Sequence, residues 1–366
     1  MRLSPTLSVY IGRHYLLAFL VMIALFLVII LLADSIELLR RTAGRPHVGF
    51  GMVLEMALLK LPYMGQRTFP FAGLFAGILL FWRLSRNHEL TVVRASGVSA
   101  WQFLVPVLFV AFALGVLQIT VFNPLSATFF ARYEREEAFL IDQSRNTLAI
   151  SDSGLWLRQV GGSGQSVVHA QHVLQLDNGI ELRDVSFFNY EGTDTFAERI
   201  DAAFARLENG HWLMRDAWQM TPEQPSRFHA ELTLPTDLTV ARIQDSFASP
   251  ETISFWQLPE FIATLERSGF SAVAHRLQFN ALLAAPLLMC AMVLIAASFS
   301  LRHPRKGGTL YVVAGGLLSG FVLYIFSDVV FAIGLSDRLP IALAAWTPAV
   351  VATLLGLSTL LHLEDG

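Results

Sequence analysis

Two groups of three long apolar stretches, one before residue 124 and one after residue 270, enclose a polar, strand-like segment of about 145 residues. A water-soluble core has no room for six runs of about 20 apolar residues, each the length that ~30 Å of hydrocarbon demands. The expected fold is an α-helical polytopic membrane protein with six transmembrane helices, split 3 + 3, and an inserted extracytoplasmic all-β domain. The spans fall at about Tyr15–Ala33, within Phe50–Trp82, and at about Trp101–Phe122, Leu277–Phe299, Thr309–Gly334 and Pro340–Leu361. No small-x-small cleavage site follows the first stretch; Asp34-Ser35-Ile36-Glu37 does, so we read it as a retained span and not a signal peptide.

Composition supports this division. Of 366 residues, 54% are hydrophobic and 15% charged, with mean hydropathy +0.52. Residues 124–270 hold 21 acids and 11 bases, whereas the remainder holds 8 acids and 15 bases. A basic membrane part suits anionic headgroups, and an acidic soluble part argues against nucleic acid. With the N-terminus inside, the inner short loops carry Arg2, Arg13, Arg83, Arg86, Arg94, Arg302, Arg305 and Lys306. The outer ones carry only Arg40, Arg41, Arg45 and Arg338. The middle segment is then outside the cytoplasm.

That segment reads as β. Runs rich in β-branched and aromatic residues occur at Leu148–Ile150, Leu155–Val160, Val167–Val173, Ile180–Tyr190, Ile200–Leu207, His211–Met220 and Phe228–Leu234. Gly161-Gly162-Ser163-Gly164, Asp177-Asn178-Gly179 and Glu208-Asn209-Gly210 are turn signals between them. A sandwich, jelly roll or open barrel fits this spacing. Trp156, Phe187, Trp212 and Trp218 either fill its core or line a groove for acyl chains. Residues 255–269 read as a helix leading into the fourth span.

Little catalytic chemistry is legible. The two lysines, Lys60 and Lys306, belong to no GxxxxGK[ST] phosphate loop, and no GxSxG elbow is present. His88-Glu89 opens like a zinc-protease motif, but position 92 is valine. His169 and His172 form an HxxH pair without a third ligand, and the lone Cys290 sits in an apolar run.

Basic residues near the outer face are candidates for an anionic headgroup. Arg40 and Arg41 run against the topological trend; they either meet an anion or snorkel and pair with Glu37. Arg67 and Arg276, with Asp328, form either a structural ion network or part of a headgroup site. On the inner side, residues 87–96 can form a short helix with Asn87 as N-cap and Gly97 as stop. Leu90, Val93 and Arg94 share one face, with Glu89 in the first turn. Such a stub is either gripped by a cytoplasmic partner or lies in the headgroups.

Asn87-His-Glu-Leu-Thr-Val-Val-Arg-Ala-Ser-Gly-Val-Ser99 resembles the coupling-helix signature of the LptF/LptG permeases of the lipopolysaccharide exporter. Asp34-Ser-Ile-Glu-Leu-Leu-Arg-Arg41 is similar to the G-type branch. Ala205-Arg-Leu-Glu-Asn-Gly-His-Trp-Leu-Met-Arg-Asp216 and Pro340-Ile-Ala-Leu-Ala-Ala-Trp-Thr-Pro348 are similar to the family's β domain and sixth span. The resemblance covers essentially the whole chain. It implies helices 1–3 within residues 1–123, a periplasmic β-jelly-roll at 124–270, and helices 4–6 within 271–366. It also implies a bacterial inner-membrane protein, with both termini cytoplasmic, that heterodimerises with an F-type paralogue. In such a complex a cytoplasmic ATPase dimer binds ATP and Mg and grips Glu89, Leu90, Val93 and Arg94 of the coupling helix. No cofactor is expected on this chain, and no enzymatic activity. Lipopolysaccharide would be lifted from the inner membrane and passed through the jelly roll to a periplasmic bridge. A bitopic jelly-roll protein with one transmembrane helix is a further expected partner. A lysine that contacts lipid at the end of span 1 in part of the G-type branch is replaced here by the Asp34/Glu37 region, where Arg40 and Arg41 could substitute. The rival readings are a permease for another lipid or lipoprotein exporter, and a membrane scaffold without transport.

Overall fold

The computed structural model describes residues 5–42, 49–95, 99–138, 147–151, 154–161, 164–176, 179–191, 195–208, 210–222, 224–236, 248–267, 271–300, 309–336 and 338–365. Among these, six helices are long and apolar enough to cross a membrane. They are α1 (Pro5–Thr42), α2 (Phe50–Arg86), a rod built from α4 (Ala100–Leu117) and α5 (Asn123–Glu137), α7 (Val273–Ser300), α8 (Thr309–Leu335) and α9 (Ile341–Asp365). Two compact units result. One comprises Met1–Glu134, Ser254–Trp256 and Arg276–Gly366; the other comprises Arg135–Ile253 and Gln257–His275.

The helices outrun the apolar stretches that announce them. At ~1.5 Å per residue, the 38 residues of α1 span nearly 60 Å, about twice the hydrocarbon layer. The third apolar run was expected to end at Phe122, but the rod continues to Glu137 through a π-helical segment, Gln118–Phe122. Polarity ends a hydropathic run without ending a helix. Pro124 explains the irregular turn. It has no N–H to offer one turn back, and the Thr120 carbonyl accepts instead from Trp256 Nε1 at 3.2 Å. Pro62 and Pro70 lie inside a continuous α2.

Helix α7 is the hub of the membrane unit. Its alanines Ala284, Ala285, Ala291, Ala296 and Ala297 are all buried. Small residues let helix backbones approach where no hydrophobic effect drives them together. Close approach demands glycine at two neighbours: a Cβ on Gly115 would lie 2.5 Å from Pro286 Cα, and one on Gly77 would lie 2.7 Å from Ala296 Cβ. The core around this hub draws Ile11, Tyr15 and Phe19 from α1, Phe81 from α2 and Leu104 from α4.

In the second unit the seven expected strands are present: β1 (Thr147–Ser151), β2 (Gly154–Gly161), β3 (Gly164–Leu176), β4 (Gly179–Glu191), β5 (Thr195–Glu208), β6 (His211–Thr221) and β7 (Gln224–Pro235). Among the described residues, the all-β domain is a single antiparallel sheet whose strands follow sequence order. It curls on itself: Thr236, just past β7, donates through Oγ1 to Gln159 Oε1 of β2 at 2.8 Å. The amphipathic α6 (Leu258–Arg267) buries Leu258, Ile262 and Leu265, occupying the region expected to be helical.

A crease crosses the sheet. Pairing runs Ala170↔Val185 and then His172↔Arg183, and the same skip recurs from β4 to β5, β5 to β6 and β6 to β7. One residue per strand drops out of the ladder along a row through Gln171, Asp184, Ala203 and Asp216. In a strand of period two, an extra residue flips every later side chain to the other face. Here neighbouring strands flip together. The buried face therefore stays apolar on both sides of the crease: Ala170 then Val173, Leu182 then Val185, Ala202 then Ala205, Met214 then Ala217. Asp184 and Asp216 take left-handed φ of 51° and 52° at this row, a conformation Asp tolerates better than most residues.

Candidate functional site

The stub between the second and third spans is built by local stops. Helix α2 ends at Arg86, and the Asn87 N–H bonds back to the Arg83 carbonyl at 3.0 Å. His88 then takes φ 60°, which breaks the helical path. Helix α3 (Glu89–Ala95) starts afresh, with Val92 N–H on the His88 carbonyl at 3.1 Å. Asn87 was expected to be the N-cap of α3; it is instead the C-cap of α2, because the turn falls at His88. Ser99 and Gln102 exchange a capping box that opens α4, with bonds of 3.3 and 3.4 Å. Ser96, Gly97 and the side chain of Arg94 lie outside the described residues.

Leu90 and Val93 pack against the core shared by the spans, so the apolar side of α3 is seated on the helix bundle. Glu89 is half-buried and hydrogen-bonded at both carboxylate oxygens. Tyr10 of α1 donates to Oε2 at 3.1 Å, and Asn87 Nδ2 donates to Oε1 at 3.2 Å. Below this turn, Arg86 lies over the Trp82 ring at 5.2 Å. Tyr10 gave no signal in the sequence, because 79 residues separate it from its partner.

At the other end of the spans the candidate cations are mostly partnered. Arg40 and Arg41 bind Glu37 at 2.9 and 3.3 Å, one turn away on the same helix, as the pairing alternative required. Lys60 of α2 meets Asp34 of α1 at 2.6 Å and lies over the Tyr133 ring at 5.4 Å. Asp34 Oδ2 is buried and has no hydrogen-bond partner among the described residues. Arg67 is exposed over the Tyr63 ring at 5.7 Å. Asp328 and Arg67 both lie near enough to Tyr324 for their charges to act on it. Arg276 is exposed on the first turn of α7.

A buried polar cluster sits at the π segment, also without a sequence signal. Gln118 Nε2 donates to the Gln66 carbonyl at 3.1 Å, Asn123 Nδ2 to Gln66 Oε1 at 3.4 Å, and Phe255 N–H to Asn123 Oδ1 at 2.7 Å. Such groups are costly to bury unpaired, so together they pin α2, the third rod and the 254–256 segment.

In the β domain the four aromatic candidates part company. Phe187 and Trp212 are fully buried and meet edge to face, 5.8 Å between centroids. Trp156 and Trp218 stand on the opposite face, 39% and 48% exposed. The four therefore do not line one groove. Alternation decides this: Trp156 lies between the buried Leu155 and Leu157, and Trp218 follows the buried Ala217. The Trp156 ring lies tilted against His169 at 4.1 Å and the Trp218 ring against Phe228 at 5.2 Å. The buried face also carries a polar ladder over five strands. Ser166 Oγ donates to Asn189 Oδ1 at 2.6 Å, Asn189 Nδ2 to Glu198 Oε1 at 2.8 Å, and Gln219 Nε2 to Glu198 Oε2 at 2.6 Å; His229 Nε2 lies 3.1 Å from Gln219 Oε1. His172 lies 3.9 Å from Asp184, and no group of three metal-ligating side chains occurs among the described residues.

This arrangement of spans, stub helix and curled sheet has relatives. Residues 9–362 match the family "Lipopolysaccharide export system permease LptF/LptG". The Escherichia coli K12 protein named lipopolysaccharide export system permease LptG is 23% identical over 363 residues, 96% of this chain and 97% of that protein. The Haemophilus influenzae protein of the same name is 21% identical over 358 residues, 94% and 95% of the two chains. With the match running from the first helix to the last, this chain belongs to the LptF/LptG family of lipopolysaccharide export permeases.

Proposed function

We propose that this chain is the G-type permease subunit of a lipopolysaccharide exporter in a bacterial inner membrane, paired with an F-type subunit. A separate cytoplasmic ATPase drives it through α3. The observation that carries the reading is the seating of α3. It is a seven-residue helix set between two spans, its apolar side on the bundle core and its acid at the first turn. The excess of bases on the same side supports a cytoplasmic α3 and cytoplasmic termini, with the β domain in the periplasm. Phosphate chemistry is assigned to the partner, since the chain carries no phosphate loop.

The physics suits an amphiphile as cargo. Each CH₂ moved from lipid to water costs about 0.8 kcal/mol, so several acyl chains need continuous apolar shelter. The exposed apolar flanks of α1 and α8 offer it in the membrane. In the β domain, the polar ladder on the sheet's inner face lies beside the Phe187–Trp212 interior, which an acyl chain would reach only if the sheet opened. Arg67 and Arg276, both exposed, remain headgroup candidates; Arg40, Arg41 and Lys60 must first leave their carboxylates.

Native mass spectrometry of the purified complex tests the reading. The expected assembly holds this chain, one paralogous permease, two ATPase copies and bound lipopolysaccharide. A lipoprotein or phospholipid cargo in its place, or a permease free of ATPase, would overturn it. Glu89→Ala should cut ATPase co-purification several-fold while the six spans stay folded; undiminished co-purification would remove Glu89 from the docking surface.

A further inference from the structure

We propose that Tyr10 is a positioning residue that ties α3 to the first span through Glu89, so that a push on α3 is delivered to α1. This rests on the reading that an ATPase engages α3.

The bond is directional where its surroundings are not. Leu90 and Val93 hold α3 against the bundle by apolar contact, which resists separation but permits sliding. The Tyr10 hydroxyl fixes one carboxylate oxygen of Glu89 at 3.1 Å, and Asn87 fixes the other at 3.2 Å. A carboxylate accepts about four hydrogen bonds, and Glu89 is only half-buried. It can therefore hold Tyr10 and still accept a donor from a docked partner. Tyr10 is itself braced: the His14 ring lies 4.2 Å away, and His14 Nδ1 is 2.8 Å from the Tyr10 carbonyl.

The rest of α1 is built to carry the displacement. Just past Tyr10, Ile11, Tyr15 and Phe19 are buried in the core. Beyond them Leu20, Val21, Leu25, Val28, Ile29, Leu32 and Ile36 are exposed, until Leu38 is buried again near the far end. A helix rises ~1.5 Å per residue, so Tyr10 and Thr42 lie about 48 Å apart along one rod. Such a rod is gripped at a foot beside α3 and packs along one side on α2, where Phe26 meets Phe75 at 5.8 Å, while its other side stays bare. Displacing the foot tilts the apolar flank that faces away from the chain's own core.

The test uses the full permease–ATPase complex in proteoliposomes loaded with lipopolysaccharide. Three quantities are read: ATPase co-purified, ATP hydrolysed, and lipopolysaccharide released to an added soluble acceptor per ATP. Tyr10→Phe keeps the ring and removes only the hydroxyl. We expect ATPase co-purification and thermal stability equal to wild type, ATP turnover within twofold, and lipid released per ATP at least fivefold lower. A second variant, Glu89→Gln, keeps an oxygen to accept the Tyr10 hydroxyl and should retain more of that ratio than Glu89→Ala. A wild-type ratio in Tyr10→Phe overturns the proposal. So does loss of the ATPase in Tyr10→Phe, which would make the hydroxyl part of docking and not of transmission. A wild-type permease that brings down no ATPase overturns the underlying reading and this link with it.

Discussion

Helices α1 and α7 are both long and apolar, yet the chain encloses them very differently. In the most apolar stretch of α1, 17% of the residues are buried; in that of α7 the share is 67%. Hydropathy ranks them the other way, for α1 is the more apolar of the two. The difference lies in side-chain size. Helix α1 presents leucine, valine, isoleucine and phenylalanine on every side, whereas α7 interleaves alanines that let α2, α4 and α9 close in, with glycines opposite them. Where lipid is as apolar as leucine, burial follows the backbone approach that small residues permit. The helix with the greasiest surface is left for the surroundings, whether lipid, cargo or a second subunit.

The strongest challenge to this comparison is overpacking at the hub. Gly115→Leu would drive a side chain into the Pro286 backbone and should leave little monodisperse protein in detergent by size-exclusion chromatography. Normal recovery would mean that α7 is not held as tightly as its neighbours imply. The same contrast can be carried into the sheet. Trp212→Ala should cost about 3–5 kcal/mol and Trp218→Ala under about 1 kcal/mol, read as denaturant midpoints of the β domain in the full chain. Equal losses would place both indoles on one face. At the C-terminal end of α1, Asp34→Ala should cost about 1–3 kcal/mol by stranding Lys60, with much of it regained in the charge-swapped pair Asp34→Lys, Lys60→Asp. A swap no better than the single variant would show that the pair does not join α1 to α2. The smallest effect is expected at the middle of α1: Leu25→Ala, on a half-exposed side chain, should change the stability of the isolated subunit, followed by its thermal unfolding, by under about 0.5 kcal/mol.

The seven strands and six spans were legible because both depend on neighbours in the chain. Alternation and turn residues marked β1 to β7 to within a few residues, and apolar runs marked the spans. The legible part thinned where an element's end is set by something remote. The third span ran past Phe122 because charge does not stop a helix, and Asn87 turned out to close α2 because His88, one residue on, takes the left-handed turn.

Of the candidate site, the sequence located α3 and its acid but not what they touch. It left four aromatics open between core and groove, and alternation within β2 and β6 divides them between two faces. It could not reveal the crease through Asp184 and Asp216, since a phase flip is tolerable only when adjacent strands make it together.

What the amino-acid order determined alone was therefore local: which stretches are apolar enough to cross, which alternate, and where a short charged helix interrupts them. Tertiary structure decided which apolar helix becomes the hub, which indole turns inward, and that Tyr10 meets Glu89 and Asp34 meets Lys60. Hydropathy and periodicity arise from side chains a few positions apart. These contacts instead require two distant segments to pack at a given distance, and that is fixed by the shapes of all the residues between the helices at once.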